Sequence, residues 1–309
     1  ETPSASRYGK GTHIRNLLEG IREGEKVVSI LPLDRELIQN PEGHYIIFAT
    51  SQGRIKRSHL SDYVKINRNG KYALKFAKES DSLVQVRPAT EEDHVVLVSS
   101  MGYACRFLPS EAKTRVDAAT GESTTTHTVR VQGRVSQGVA GMKLQSGDRV
   151  VGMIVTDDFD TSVLTISKHG MAKRSRLGSG SMVEIKLEDG TTAQGDDGEA
   201  MMERDGYRKT NRGTKGVRTM ALSDGDSIIG VRQIPDLSDQ LFMLTEKGMM
   251  IRMPATQTKE TLGKVTKGTR IMELRTKDKK SYADEIVFVA RLPSDLVERG
   301  DVESEGEEE

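Results

Sequence analysis

The sequence predicts an all-β protein built as a propeller-like array of four-stranded blades, and three observations carry that prediction. A Gly-x-x-x-Arg element occurs four times, as "GRIKR" at 53–57, "GYACR" at 102–106, "GMAKR" at 170–174 and "GMMIR" at 248–252. A second glycine precedes three of these elements at a fixed interval: Gly70 to Gly102, Gly138 to Gly170 and Gly216 to Gly248 each span 32 residues. Between them lie short runs rich in Val, Ile and Thr, separated by turn residues, and no stretch inside the repeats sustains a helical period.

The elements of a repeat come in a constant order. A Gly-led alternating strand opens it, as in "GKYALKFA", "GVAGMKLQ" and "GVRTMALS". An acidic turn before a Val/Ile pair follows, in "EKVVSIL", "DSLVQVR", "DRVVGMIV" and "DSIIGVRQI". A third strand ("YIIFAT", "VVLVSS", "SVLTIS", "QLFMLT") then leads through a turn glycine into the Gly-x-x-x-Arg strand. That glycine is expected in a two-residue hairpin, where positive φ is needed. The first copy spans 42 residues, from Gly11 to Gly53, with extra length in "LDRELIQNPEG". A fifth opens at Gly268, runs through "DEIVFVARL" and lacks the final element. Five repeats are thus visible, near 7–63, 64–113, 131–177, 210–260 and 261–294. Residues 114–130 and 178–209 are polar insertions, expected as loops, and 295–309 form an acidic tail.

Composition narrows the function. The 309 residues are 35% hydrophobic and 30% charged, without Trp. No apolar run approaches the roughly 20 residues of a membrane helix, and "ETPSASRYGKGTH" lacks the apolar core of a signal peptide. The first residue is not Met, so the chain reads as a fragment or a processed product. The single Cys105 excludes an internal disulfide and fits a reducing cytoplasm. The six histidines are scattered, and no phosphate-binding loop, zinc-protease or nucleophile-elbow motif occurs. Binding, not catalysis, is expected, with no metal site.

Charge points to the partner. Residues 295–309 hold eight acids and one Arg in a chain of zero net charge, so the preceding body is basic. A basic body with an acidic tail suggests a polyanion and an internal competitor for it. Arg57, Arg106, Arg174 and Arg252 recur at one repeat position, with Arg54, Lys56 and Lys173 beside them. A second basic set precedes the first strands: Arg7 and Lys10, Arg68 and Lys71, Arg130 and Arg134, Arg212 and Lys215, Lys264 and Lys267. In a radial array, equivalent positions make an arc of charge suited to a bent duplex. The alternative for the recurrent Arg is a brace, paired with a blade carboxylate and fixing the edge from within.

The stretches "SRYGKGTHIRNLL", "GEKVVSILPL", "NRNGKYALKF", "SQGVAGMKLQSGDRVVGMIV", "NRGTKGVRTMAL" and "TKGTRIMEL" resemble the C-terminal domain of DNA gyrase A, from the bacterial type IIA topoisomerases. The resemblance covers nearly the whole chain except the insertions. It implies a β-pinwheel, a disc whose blades exchange strands, with six blades in the intact domain. It implies a non-catalytic, cytoplasmic, nucleoid-associated domain, monomeric in isolation, that wraps double-stranded DNA. The rest of gyrase A and the gyrase B protein would be its partners in an A2B2 complex that introduces negative supercoils. ATP and Mg would act elsewhere in that holoenzyme, with no cofactor in this domain and no membrane. The family's Q-R-R-G-G-K-G box is not found; "RYGKG" at 7–11 and "RGTKG" at 212–216 are its nearest echoes. The box and most of a first blade are expected upstream of Glu1. The alternatives are the corresponding domain of topoisomerase IV, which has fewer blades and a degenerate box, and a propeller scaffold for protein partners.

Overall fold

Every Gly-x-x-x-Arg element forms the second arm of a β-hairpin. The computed structural model describes residues 9–17, 21, 24–67, 70–116, 120–187, 189–195, 197–261, 266–278 and 281–295. β1 (Tyr45–Thr50) pairs with β2 (Arg54–His59), and β3 (Leu83–Ala89) lies against β1. β4 (His94–Ser99) and β5 (Tyr103–Phe107) form the next blade hairpin. β6 (Ala112–Val116) and β7 (Ser123–His127) form a hairpin of their own. Then come β8 (Val139–Ala140), β9 (Val150–Thr156), β10 (Ser162–Ser167) and β11 (Met171–Arg176). The second insertion carries β12 (Met182–Glu184) paired with β13 (Met202–Arg204). The rest are β14 (Val217–Arg218), β15 (Ile228–Ile234), β16 (Gln240–Thr245), β17 (Met250–Pro254), β18 (Thr269–Arg270) and β19 (Ile286–Leu292).

Strand order reveals the exchange. Three sheets run β3-β1-β2-β8, β9-β4-β5-β14 and β15-β10-β11-β18, and a fourth runs β19-β16-β17. Each central hairpin takes its inner strand from the next repeat and its outer strand from the repeat after that. Repeat and blade are therefore offset, and the fold is the β-pinwheel that the resemblance implies. Among the described residues β17 has no outer strand. The inner strands stand in the order β3, β9, β15, β19 around the centre. Both insertions hold hairpins where loops were expected, because their Thr- and Val-containing runs suit extended backbone.

The blade turn is one residue longer than a two-residue hairpin. Gly53, Gly102, Gly170 and Gly248 each donate their amide to the carbonyl three residues back, at 3.0–3.2 Å. All four have φ between 77° and 84°, and against its inner strand each first arm slips register at its end. This is a three-residue loop closed by a left-handed glycine.

The recurrent acid ties one repeat to another. Asp81 Oδ1 accepts the Gln52 amide at 2.9 Å, and Asp148 Oδ1 accepts that of Met101 at 3.0 Å. Asp226 and Asp284 accept the amides of His169 and Lys247 in the two later turns, both at 3.2 Å. Each inner strand is thereby pinned to the turn of the hairpin it joins. Glu25 stands at the equivalent position of the first repeat, but no strand pairs with residues 26–32 among the described residues, and Val27, Val28 and Ile30 are exposed.

The opening glycines of the last three repeats, Gly138, Gly216 and Gly268, are fixed by contact. Gly216 has φ 80°, and a Cβ there would lie 2.1 Å from the Ala104 carbonyl oxygen on β5. Gly216→Ala is expected to cost about 2–3 kcal/mol, combining left-handed strain with displacement of β14; the denaturant midpoint checks it. The core follows the offset blades: β1, β2, β4, β5 and β9 share one apolar cluster, and blades three and four another. Among the described residues no helix is long and apolar enough to cross a membrane.

Candidate nucleic-acid interface

The structure divides the predicted basic residues into braces and a rim. Lys56, Arg57, Arg106, Lys173 and Arg174 are braces, all under 9% exposed. This corrects the expectation that they contact phosphate. The fourth position after the turn glycine falls mid-strand, where β2, β5 and β11 are covered by chain from later repeats.

Each brace has its own partner. Arg57 lies 3.7 Å from the centre of the Tyr45 ring, with Nη2 2.7 Å from Glu91 Oε1. Arg174 Nη1 donates to Glu260 Oε2 at 2.8 Å, and its Nε to the Thr258 carbonyl at 3.1 Å. Among the described residues Arg106 has no carboxylate in contact; Nη1 donates to the carbonyls of Leu177, Gly178 and Tyr207 at 3.0, 2.7 and 2.7 Å. It therefore holds both roots of the second insertion. Lys56 Nζ donates to the Ala73 and Arg134 carbonyls at 2.6 and 2.7 Å, and Lys173 Nζ to Thr219 at 2.8 Å. Burial lowers both lysines to about 8 and Arg106 to about 10. Cys105, also buried, occupies the corresponding position in the second blade.

Arg106 also fixes the state of a histidine. Its Nε donates to His94 Nδ1 at 3.2 Å, and burial, then the Arg106 charge, push His94 down to about 4. The unfolded chain takes up this proton near pH 6.5 and the folded one resists until about 4, so stability falls as pH drops through that window. A His94→Asn variant, which keeps an acceptor but does not titrate, is expected to flatten the decline in thermal midpoint.

The rim set behaves differently. Lys10, Lys215, Arg252 and Lys267 are exposed, while Arg54, Lys71, Arg134 and Arg212 are half-buried. Arg54 is tied by Nε and Nη2 to the carbonyls of Gln137 and Gly138, and Arg212 by Nη1 to that of Ala140. Arg252 shares the braces' repeat position yet reaches solvent, since no outer strand covers β17 among the described residues; it bonds the Gln240 side chain. Arg7, Arg68 and Lys264 lie outside the described residues, as does the tail from residue 296.

Two rim residues escaped the sequence reading. Arg218 and Arg270 lie two positions after the opening glycines, on outer strands β14 and β18, and both are exposed. The alternation in "GVR" and "GTR" was the available signal. On the second blade, Lys215 Nζ and the Arg218 guanidinium lie 4.2 and 5.0 Å from the centre of the Tyr103 ring. Arg218 Nη2 donates to the Tyr103 hydroxyl at 2.9 Å. Lys215, as hydrogen-bond partner, and Arg218 beside it pull that hydroxyl below its usual range. On the third blade, Lys267 and Arg270 repeat the pair, with Arg270 bonded to Glu273. The equivalent residues of the first blade are Gln137 and Ala140, so the charge is concentrated on the second and third.

Known proteins resemble the chain along most of its length. The family described as the DNA gyrase C-terminal domain, a beta-propeller, matches residues 3–34, 44–90, 123–157, 161–179, 202–235 and 239–292. The DNA gyrase A protein of Staphylococcus epidermidis is 29% identical over 275 residues, which is 89% of this chain and 25% of that protein. The Staphylococcus aureus protein is 27% identical over the same extent. The chain thus spans about a quarter of the length of these relatives. Among solved structures, the C-terminal domain of DNA topoisomerase IV matches with TM-score 0.68 and 18% identity, covering 97% of this chain and 76% of that one. A DNA gyrase A C-terminal domain matches with TM-score 0.57 and 20% identity, covering 82% and 67%. Family match, strand-exchanged blades and repeat pattern agree: the chain belongs to the DNA gyrase C-terminal domain family.

Proposed function

We propose that this domain binds double-stranded DNA along the outer edge of its blades and bends it around the disc. The observation that carries the proposal is the pair of cations at equivalent positions on and just before two outer strands, Lys215 with Arg218 and Lys267 with Arg270. Cations repeated at one radius neutralise successive phosphates along a curved path and read no base sequence. The buried braces contribute by keeping the edge rigid. As part of a gyrase A protein, the domain would act with the rest of that protein and with gyrase B in an A2B2 enzyme. There it would present a wrapped segment for ATP-dependent negative supercoiling in the bacterial cytoplasm. It would need no cofactor of its own, ATP and Mg acting elsewhere. Fluorescence transfer between the ends of a long duplex tests the bend: the ends should approach at saturating protein, and an unchanged separation overturns the proposal.

A second reading, the corresponding domain of topoisomerase IV, is favoured by the higher TM-score of that structure, 0.68 against 0.57. The assembled enzyme separates the two. Supercoiling of relaxed plasmid supports gyrase, whereas relaxation and decatenation alone support topoisomerase IV.

A further inference from the structure

The inner strands, with residues 28–32, line an open central cavity of about 930 Å³. Its wall includes Arg87, Arg232 and Arg291 and, among the described residues, no Asp or Glu. Arg291 is paired with Asp239 at 3.0 Å. Neither Arg87 nor Arg232 makes an ion pair among the described residues. Arg232 donates to the carbonyls of Val231, at 2.7 Å, and Val289. Arg87 makes a single long contact with the Val86 carbonyl at 3.4 Å, a weak bond.

The placement of these two follows from the repeat. Arg87 lies six residues after Asp81, and Arg232 six after Asp226, so the same staple that pins β3 and β15 sets both side chains at one height. β9, between those strands, carries apolar Ile154 at the equivalent position. Burial, and then the charge of Arg87, lower the pKa of Arg232; burial alone lowers that of Arg87. Two half-buried guanidiniums thus face one cavity with no counter-charge. The planar fork of Arg suits phosphate oxygens, and the volume falls within the roughly 300–1,000 Å³ of small-molecule sites.

We propose that the central cavity binds a small phosphate-bearing anion between Arg87 and Arg232. This site is separate from the DNA rim. Inner and outer strands of a blade are three strand spacings apart, about 14 Å, so one ligand does not serve both. The proposal stands or falls independently of DNA wrapping.

Calorimetric titration of the full chain with pyrophosphate at low salt tests it. One site is expected, weakened about tenfold or more in an Arg87→Gln/Arg232→Gln variant and unchanged in Lys215→Gln/Arg218→Gln. Pyrophosphate should raise the thermal midpoint of the wild type and not of the cavity variant. If the double variant does not fold, Arg87→Gln alone gives the reading, since its native side chain makes only one long bond. Absence of pyrophosphate binding, its retention in the cavity variant, or equal loss in the rim variant overturns the assignment.

Discussion

Arg106→Met is expected to destabilise the domain by about 3 kcal/mol while leaving the salt dependence of DNA binding unchanged. The Arg106 side chain is 1% exposed and holds three carbonyls from two segments. Its removal leaves the Gly178 and Tyr207 carbonyls buried without this charged donor, while Leu177 still accepts the Tyr207 amide at 2.9 Å. An orphaned buried acceptor costs about 1–3 kcal/mol, so two of them dominate the loss. Urea unfolding should show a lower midpoint at constant m. A shallower salt slope with intact stability would instead restore Arg106 to the binding surface.

The opposite outcome is expected at the rim. Replacing Lys215, Arg218, Lys267 and Arg270 together by Gln should weaken duplex binding on the order of a thousandfold near 0.1 M salt, with little loss of stability. A wild-type domain that neutralises about 8–10 phosphates has a log–log salt slope of roughly −7 to −9; removing about three effective contacts makes it about 3 less steep. Arg270 counts for less than a full contact because it must leave Glu273. Bending should suffer more than affinity, since a bend of 40–90° costs about 1–6 kcal/mol that distributed contacts must offset. An unchanged slope would remove these outer strands from the interface.

Much of the fold was legible because its glycines are. The interval of 32 residues joins an opening glycine, left-handed in each copy and at Gly138 and Gly216 pressed against a neighbouring carbonyl, to a turn glycine that is also left-handed. Both needs are local and leave a residue type behind. The exchange was not legible from spacing alone. Nothing in "GVRTMALS" marks β5, more than a hundred residues earlier, as the partner of β14; only the resemblance implied it. The recurrent Arg misled for a related reason. In a sheet with one solvated face, alternate basic residues point outward, but β2, β5 and β11 are covered on both faces. Loop cations such as Lys215 and Lys267 were the safer signal, since little chain packs over them. Arg212 shows the limit of that rule, its guanidinium being spent on the Ala140 carbonyl.

The offset between repeat and blade bears on how such a chain changes its copy number. In a stacked solenoid, losing one unit removes one layer and leaves the others as they were. Here the third and fourth repeats each feed three different sheets, so excising one rethreads the molecule: the hairpin just before the gap must adopt an inner and an outer strand from farther along, and the hairpin before that a new outer strand. The Asp staple and the opening glycine make that adoption feasible, because the third, fourth and fifth repeats offer the same two fittings to whichever hairpin precedes them. Interlocked blades thus remain interchangeable parts, and the ring can gain or lose a member without inventing a new joint.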